Sequence, residues 1–208
     1  MNLFQRKHNK APAKKDEPQR KTGSWCHEDI EALCNQVAEI PGEFAEIGVF
    51  RGKAFVKVVT MAASQNRMAH AFDSFQGMDE PSYLDGKGYP KGKFDVGGPD
   101  AFRAIMDENG VSREAYRLWA GYVPDCFRDV DEHLRFSFVI LDLDHYEPTV
   151  EALQWVWPRL AHGAILALDD FNPRMKGLAA RAIKEFLRQA NDFDIVDFFN
   201  NQLVLKKL

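Results

Sequence analysis

The sequence predicts an α/β fold: a doubly wound, mainly parallel sheet of seven strands that closes with a C-terminal β-hairpin. Two observations predict it. Short apolar runs alternate with helix-length segments five times, the pattern of parallel strands joined by helical crossovers. The two most apolar runs, FSFVIL at 136–141 and AILAL at 164–168, each end in acids, within LDLDHYEPT at 141–149 and at Asp169-Asp170. If these runs are neighbouring parallel strands, their acids converge on the C-terminal edge of the sheet, where open α/β folds bind ligands.

The elements follow in order. Residues 25–40 place Ile30, Leu33, Cys34 and Val37 on one helical face, with Ser24 as a candidate N-cap and Pro41-Gly42 as the stop. Residues 43–49 read as a first strand, 53–63 as a helix, and 68–72 as a second strand ending at Asp73. From 74 to 99, glycines and prolines break every period, and so long a loop in a compact domain suggests a functional lid. Helical pattern returns at 100–109 with Gly110 as its stop, then a strand at 116–120 and a short helix at 123–130. The fourth strand, 136–141, leads into a helix at 148–160 that Pro148 can start, because a first-turn residue needs no N–H partner. A fifth strand at 163–168, a helix at 176–190, and a hairpin of 193–198 and 202–206 turning at Asn200-Asn201 complete the chain.

Composition narrows the function class. The chain has 208 residues, 45% hydrophobic and 28% charged, within the range of an ordinary globular protein. The first 22 residues hold seven Lys or Arg against Asp16 and Glu17, so the remainder is more acidic than the formal total of −4. The partition expected is a disordered basic tail over 1–23 and one catalytic domain over 24–208. An acidic body argues against nucleic-acid binding. Lack of an apolar run near 20 residues argues against a membrane span, and with no secretory pattern at the N-terminus a cytoplasmic location is expected. Cys26, Cys34 and Cys126 form no CxxC pair and are expected as free buried thiols.

The first strand runs into Glu46-Ile47-Gly48-Val49-Phe50-Arg51-Gly52, an E-x-G-x-x-x-G turn. A dinucleotide turn carries glycine where Glu46 stands, and a carboxylate would repel a pyrophosphate. The same carboxylate suits an ammonium, which points to S-adenosylmethionine rather than NAD. Asp73, ending the second strand, is placed to meet ribose hydroxyls. Gly121 and Tyr122, after the third strand, are placed beside an adenine ring.

Asp142, Asp169 and Asp170 would repel one another strongly without a cation among them, which predicts a divalent metal. Mg²⁺ favours such oxygen ligands, and a hydroxyl beside it becomes more acidic. Asp144 and His145 lie close enough along the chain for either to take the proton as general base.

Together EIGVFRG, FDSFQG, LDLDHYEPT and LALDDF resemble the macrocin and noviose sugar O-methyltransferase family, over about residues 44–187. The resemblance implies a class I S-adenosylmethionine-dependent fold, Mg²⁺, and methylation of a hydroxyl on a sugar or glycosylated small molecule. It implies Asp142, Asp169 and Asp170 as metal ligands and Asp144 as base, with His145 in reserve where catechol-type relatives carry lysine. It implies Glu46, Gly48, Asp73 and Ser74 around the cofactor; Val49, Gly52, Phe75, Gly121, Tyr122 and Asp142 complete the expected pocket. Tyr83, Asp85 and Tyr89 of the long loop are candidate acceptor contacts. The competing readings are a catechol- or phenol-type O-methyltransferase, a metal-dependent hydrolase, and a non-catalytic binding protein on the same fold. The expected partner is a small hydroxylated acceptor; a homo-oligomer is left open.

Overall fold

A computed structural model describes residues 25–86, 88–172, 174, 178–199 and 201–208. The basic tail, Ser24, the expected helix start at Lys176 and half of the Asn200-Asn201 turn lie outside the described residues. Seven strands form one sheet: β1 (Glu43–Ile47), β2 (Ala69–Asp73), β3 (Tyr116–Ala120), β4 (Phe136–Leu141), β5 (Leu160–Leu168), β6 (Phe193–Phe199) and β7 (Gln202–Lys207). Their spatial order is β3-β2-β1-β4-β5-β7-β6. The first five run parallel, whereas β7 is antiparallel to both β5 and β6, giving the expected terminal hairpin. The order reverses between β1 and β4, which opens a crevice at the C-terminal edge.

The helices are α1 (His27–Gln36), α2 (Phe55–Ser64), α3 (Pro99–Glu108), α4 (Tyr146–Val156) and α5 (Leu178–Gln189). Both faces of the sheet are covered, which is why the parallel strands are apolar at nearly every position. Phe44, Phe138, Ile140 and Ile165 face one core with Ile30, Leu33, Phe55 and Phe102. Ile47, Val139, Leu141 and Leu166 face the other with Leu153, Val156, Ile183 and Leu187.

Local chemistry moves several boundaries. The first helix starts later than expected, because the Cys26 side chain caps it by accepting from the Asp29 N–H. Cys26 is thereby exposed, unlike the buried Cys34 and Cys126. The short helix expected at 123–130 is only a three-residue turn, Asp125–Phe127. Its apolar residues, Cys126, Phe127 and Val130, pack onto the second core without needing helical continuity. The fourth helix begins at Tyr146, and Pro148 still sits in its first turn. Among the described residues of 74–98 there is no regular element beyond one antiparallel bridge, Gln76 to Asp95, and Pro99 already opens α3. Among the described residues no helix is long and apolar enough to cross a membrane.

An aromatic stack on β2 and β3 carries a titratable group. His70, 5% exposed, lies parallel to Trp119 at 6.2 Å, and the Trp119 indole N–H donates to His70 Nδ1 at 3.0 Å. A bare Nδ1 facing a donor leaves no room for a second ring proton. Burial, helped by the Arg117 charge, lowers the His70 pKa from 6.5 to about 4. The folded value lies below the unfolded one, so this contribution is complete above about pH 6.5 and is lost as pH falls toward 4, to a limit of about 3 kcal/mol. Urea midpoints near neutral pH and near pH 4.5, compared for the wild type and His70→Phe, check this. The variant is expected to lose less stability on acidification, and equal losses would refute the assignment.

Candidate active site

Inter-strand hydrogen bonding continues one residue past the ends of β1, β3, β4 and β5, and that aligns the loops at the crevice. The Gly48 N–H donates to the Phe72 carbonyl, Asp142 N–H to Ile47, Asp169 N–H to Leu141 and Gly121 N–H to Asp73, all at 2.8–2.9 Å. Leu141 is paired with Leu168 in the sheet, so Asp142 and Asp169 leave adjacent strands at the same height. Gly48 is required sterically. Its φ is +88°, and a Cβ there would stand 1.7 Å from the Asp142 carbonyl oxygen.

These loops enclose a cavity of about 720 Å³. Gly48, Asp73, Ser74, Gly121, Tyr122 and Asp142, all expected at the cofactor, line it. Asp144, His145, Asp169 and Asp170 line it as well. Four other expected residues stand behind the wall. Gly52 is bare for packing: a Cβ would meet Met106 Cε at 2.4 Å and Phe102 at 3.0 Å, on α3. Val49 and Phe75 bury their side chains and contribute backbone instead. The Val49 and Phe50 N–H groups donate to Asp73 Oδ2, each at 2.9 Å, and the Phe75 N–H donates to Oδ1 at 2.7 Å. Asp73 is therefore fixed in place, with acceptor capacity left mainly on Oδ1. Burial raises its pKa and these three bonds oppose the rise.

Glu46, the fourth, is 4% exposed, and its Oε2 has no hydrogen-bond partner among the described residues. Burial, then the charges of Asp73 and Asp169, push its pKa well above the usual carboxylate range. A buried carboxylate oxygen without a partner is costly, and a cationic or donor group would satisfy it.

Among the described residues one set of three carboxylates has oxygens within 4.8 Å of one another: Asp142, Asp144 and Asp170. Two of the three expected metal ligands are thus together, and the third place is taken by Asp144, expected as the base. Asp169 turns aside: its Oδ1 accepts from the Asp170 N–H at 2.9 Å, and its Oδ2 lies 3.5 Å from the Gln202 amide on β7. Asp144 and Asp170 both have left-handed backbones, φ +58° and +56°. Aspartate tolerates that region, and such strain collects at functional sites. The Ala179 N–H, at the start of α5, holds the Asp144 carbonyl at 2.9 Å. Burial raises the Asp142 pKa, with Asp169 and Asp144 adding to the rise; burial and the shared contact with Asp170 raise that of Asp144. Clustered acids of this kind fit a hard divalent cation, which would offset their charge.

The three loop residues expected to touch an acceptor separate. Tyr83 is 90% exposed and does not line the cavity. Asp85 lines it, but its carboxylate is committed: Oδ1 accepts from the Tyr146 N–H at 2.6 Å, and Oδ2 from the Ser82 N–H and hydroxyl at 2.9 and 2.7 Å. It caps α4 from a distance. Tyr89 lies outside the lining, with its carbonyl oxygen 3.0 Å from His145 Nε2. Sequence reasoning missed Phe50 and Phe94, an edge-to-face pair 5.2 Å apart at the cavity, and Glu147 and Glu151 on its α4 wall. The i, i+4 spacing of those two glutamates within and just after LDLDHYEPT is the signal that could have found them.

Comparison with known proteins places this geometry. The family model described as macrocin-O-methyltransferase (TylF) matches residues 15–198. A curated protein of Streptomyces olivaceus, 8-demethyl-8-(2,3-dimethoxy-alpha-L-rhamnosyl)-tetracenomycin-C 4'-O-methyltransferase, is 28% identical over 151 residues. That alignment covers 64% of this chain and 54% of the relative, so the chain spans about half the length of the curated protein it matches. Among solved structures, the O-methyltransferase NovP is similar with a TM-score of 0.73 at 19% identity, over 87% of this chain and 78% of that one. CalS11, a calicheamicin methyltransferase, is similar with a TM-score of 0.72 at 24% identity, over 86% and 77%. At these identities the two structures speak for the fold, and the seven-stranded order agrees with them. The family match takes in the glycine turn of β1 and both carboxylate turns, and on that ground the chain belongs to the macrocin-O-methyltransferase family.

Proposed function

We propose that the chain is an S-adenosylmethionine-dependent O-methyltransferase that acts on a hydroxyl of a sugar or glycosylated small molecule and uses Mg²⁺. The observation that carries this reading is one edge holding both a buried acid, Glu46, whose Oε2 has no partner among the described residues, and a set of three carboxylates, Asp142, Asp144 and Asp170. Bound S-adenosylmethionine supplies a methyl group on a positively charged sulfur. Glu46 suits its ammonium, directly or through water, Asp73 a ribose hydroxyl, and Gly121 and Tyr122 the adenine. The bare Gly48 keeps the β1 turn close to β4, so these contacts share one crevice.

Mg²⁺ held by Asp142, Asp169 and Asp170 would supply charge compensation and acidify a neighbouring hydroxyl. Asp144 is the general base, receiving the acceptor proton on a carboxylate oxygen, with His145 the second candidate. The crevice would hold the acceptor oxygen in line with the cofactor's methyl–sulfur bond, so that the new C–O bond would form as the C–S bond breaks and S-adenosylhomocysteine leaves; such alignment is worth on the order of 7 to 11 kcal/mol in favourable cases. Residues 74–99 limit water access at the reacting edge. Phe50 and Phe94 give the cavity an apolar wall suited to the aglycone of a glycoside. The curated relative's name, which specifies a rhamnosyl tetracenomycin, makes that compound the first acceptor to try.

Glu46→Gln removes a desolvated charge and keeps the shape. It is expected to raise the melting temperature of the free protein while weakening S-adenosylhomocysteine binding about 10-fold or more, since a hydrogen bond to a charged group is worth about 1.5 to 3 kcal/mol. Calorimetry with unchanged affinity would sever Glu46 from the cofactor. Asp142→Ala is expected to abolish both turnover and Mg²⁺ binding, and excess EDTA to abolish turnover reversibly; full activity in EDTA would defeat the metal role. Asp144→Asn is expected to cut turnover by about 10² or more, the usual scale of general-base catalysis. Turnover of Asp144→Asn at the wild-type rate would remove it as base.

A further inference from the structure

Two phenylalanines of the cavity wall carry exposure and strain that the fold does not explain. Phe50 and Phe94 are 39% and 38% exposed, and their ring centres lie 5.2 Å apart at an interplanar angle of 62°. Both have left-handed backbones, φ +47° and +68°, a region in which a bulky side chain is an outlier. Their backbones are nevertheless held. The Phe50 N–H donates to Asp73 Oδ2 at 2.9 Å. On either side of Phe94, the Lys93 carbonyl accepts from the Met78 N–H at 2.8 Å and Asp95 bridges Gln76. Rings offered to solvent from a fixed backbone lose little freedom when a ligand covers them.

Charge near this pair differs in sign from charge in the cavity. The Arg51 guanidinium carbon lies 5.5 Å from the centre of the Phe50 ring, and Lys93 Nζ lies 4.9 Å from that of Phe94. Lys93 Nζ donates to the Gly88 carbonyl at 3.1 Å rather than to an acid. The cavity lining carries Glu147 and Glu151 besides the acids of the reacting edge, and neither Lys nor Arg among the described residues. An acceptor that satisfies both regions has an uncharged, hydroxylated part within and a flat ring with anionic character at the phenylalanines.

We propose that Phe50 and Phe94, flanked by Arg51 and Lys93, form a ledge that binds the flat, acidic phenolic aglycone of the acceptor glycoside while its sugar reaches the carboxylate edge. This rests on the sugar O-methyltransferase reading and names the part of the acceptor recognised away from the reacting edge. An arene can meet the two rings edge to face or offset, and a phenolate oxygen on its rim is drawn to the two cations. A nucleoside diphosphate sugar also joins a sugar to a flat ring, but its diphosphate would have to pass the cavity acids. Glycosyl transfer to the phenol therefore precedes methylation.

The test is calorimetry on the full chain loaded with S-adenosylhomocysteine. The probes are a dihydroxyanthraquinone monorhamnoside with one free phenol, its phenol-methylated form, methyl rhamnoside and thymidine diphosphate rhamnose. Wild type is expected to bind the free-phenol glycoside about 10-fold or more tighter than methyl rhamnoside or the nucleotide sugar. Asparagine tolerates a left-handed backbone, so Phe50→Asn and Phe94→Asn remove the rings without added strain. Each is expected to weaken the glycoside about 10-fold and to keep S-adenosylhomocysteine affinity; Phe94→Tyr is expected to bind like wild type. Arg51→Gln combined with Lys93→Gln is expected to erase the preference for the free phenol over its methyl ether. Equal affinity of wild type for the glycoside and methyl rhamnoside would overturn the ledge, as would wild-type glycoside affinity in Phe94→Asn. Tighter binding of the nucleotide sugar would overturn the choice of aglycone. If Phe50→Asn disturbs the Asp73 contact and loses S-adenosylhomocysteine, Phe94→Asn, on a separate loop, decides. If wild type binds no S-adenosylhomocysteine, the methyltransferase reading is what fails, and the same titrations of the unloaded chain still decide the ledge.

Discussion

Mutual repulsion among acids that the sheet forces together is the constraint around which the reacting edge is arranged. Glu46 is the last residue but one of β1, Asp142 follows β4, and Asp169 and Asp170 follow β5, on adjacent strands about 4.8 Å apart. Backbone hydrogen bonds beyond the strand ends fix three of the loop starts, so the chain cannot relieve the repulsion by splaying. The protein answers in different ways at different acids. Asp73 is satisfied by three backbone N–H groups, and Asp169 by a backbone N–H and the Gln202 amide. Glu46 keeps an oxygen without a partner, and Asp142, Asp144 and Asp170 face one another. Glu46 and this set of three stand where the charge of a ligand would complete the electrostatics of the fold.

The edge is also where backbone strain sits. Phe50, Asp144, Asp170 and Leu178 all have positive φ without being glycine. Phe50, Asp144 and Asp170 line the crevice and Leu178 starts α5, and bulky residues in that backbone region cost of order 1 to 3 kcal/mol each. The covered apolar sheet behind them, including strands β4 and β5 with almost no exposed side chain, holds the frame that tolerates this cost.

Much of the frame was legible because it depends on local pattern. The runs at 136–141 and 164–168 are apolar at consecutive positions, as strands buried on both faces must be, and their adjacency follows from chain order in a doubly wound sheet. What could not be read is what depends on side-chain direction or on distant partners. Asp144 rather than Asp169 joins Asp142 and Asp170 because the Ala179 N–H, 35 residues downstream, holds the Asp144 turn. Asp85 was expected at the acceptor as part of the long loop; its carboxylate is held by the nearby Ser82 and by the Tyr146 N–H on another element, and the second of these cannot be read from local sequence. Residues 123–130 imitate helical periodicity, since Cys126, Phe127 and Val130 must all reach one core, yet only three of them turn. Gly52 fitted a cofactor turn by spacing, although its missing side chain makes room for Met106.

The remote cap on α4 bears on how acceptor choice can be changed in this scaffold. Loops that cover a pocket are natural segments to exchange between relatives when a new specificity is sought. Here the exchanged segment would also remove the carboxylate that stabilises the first turn of a core helix, a loss of about 1 kcal/mol even before any pocket is reshaped. A chimera that transplants 74–99 as a cassette is therefore best cut to retain Asp85 together with its Ser82 support, varying only the stretches on either side.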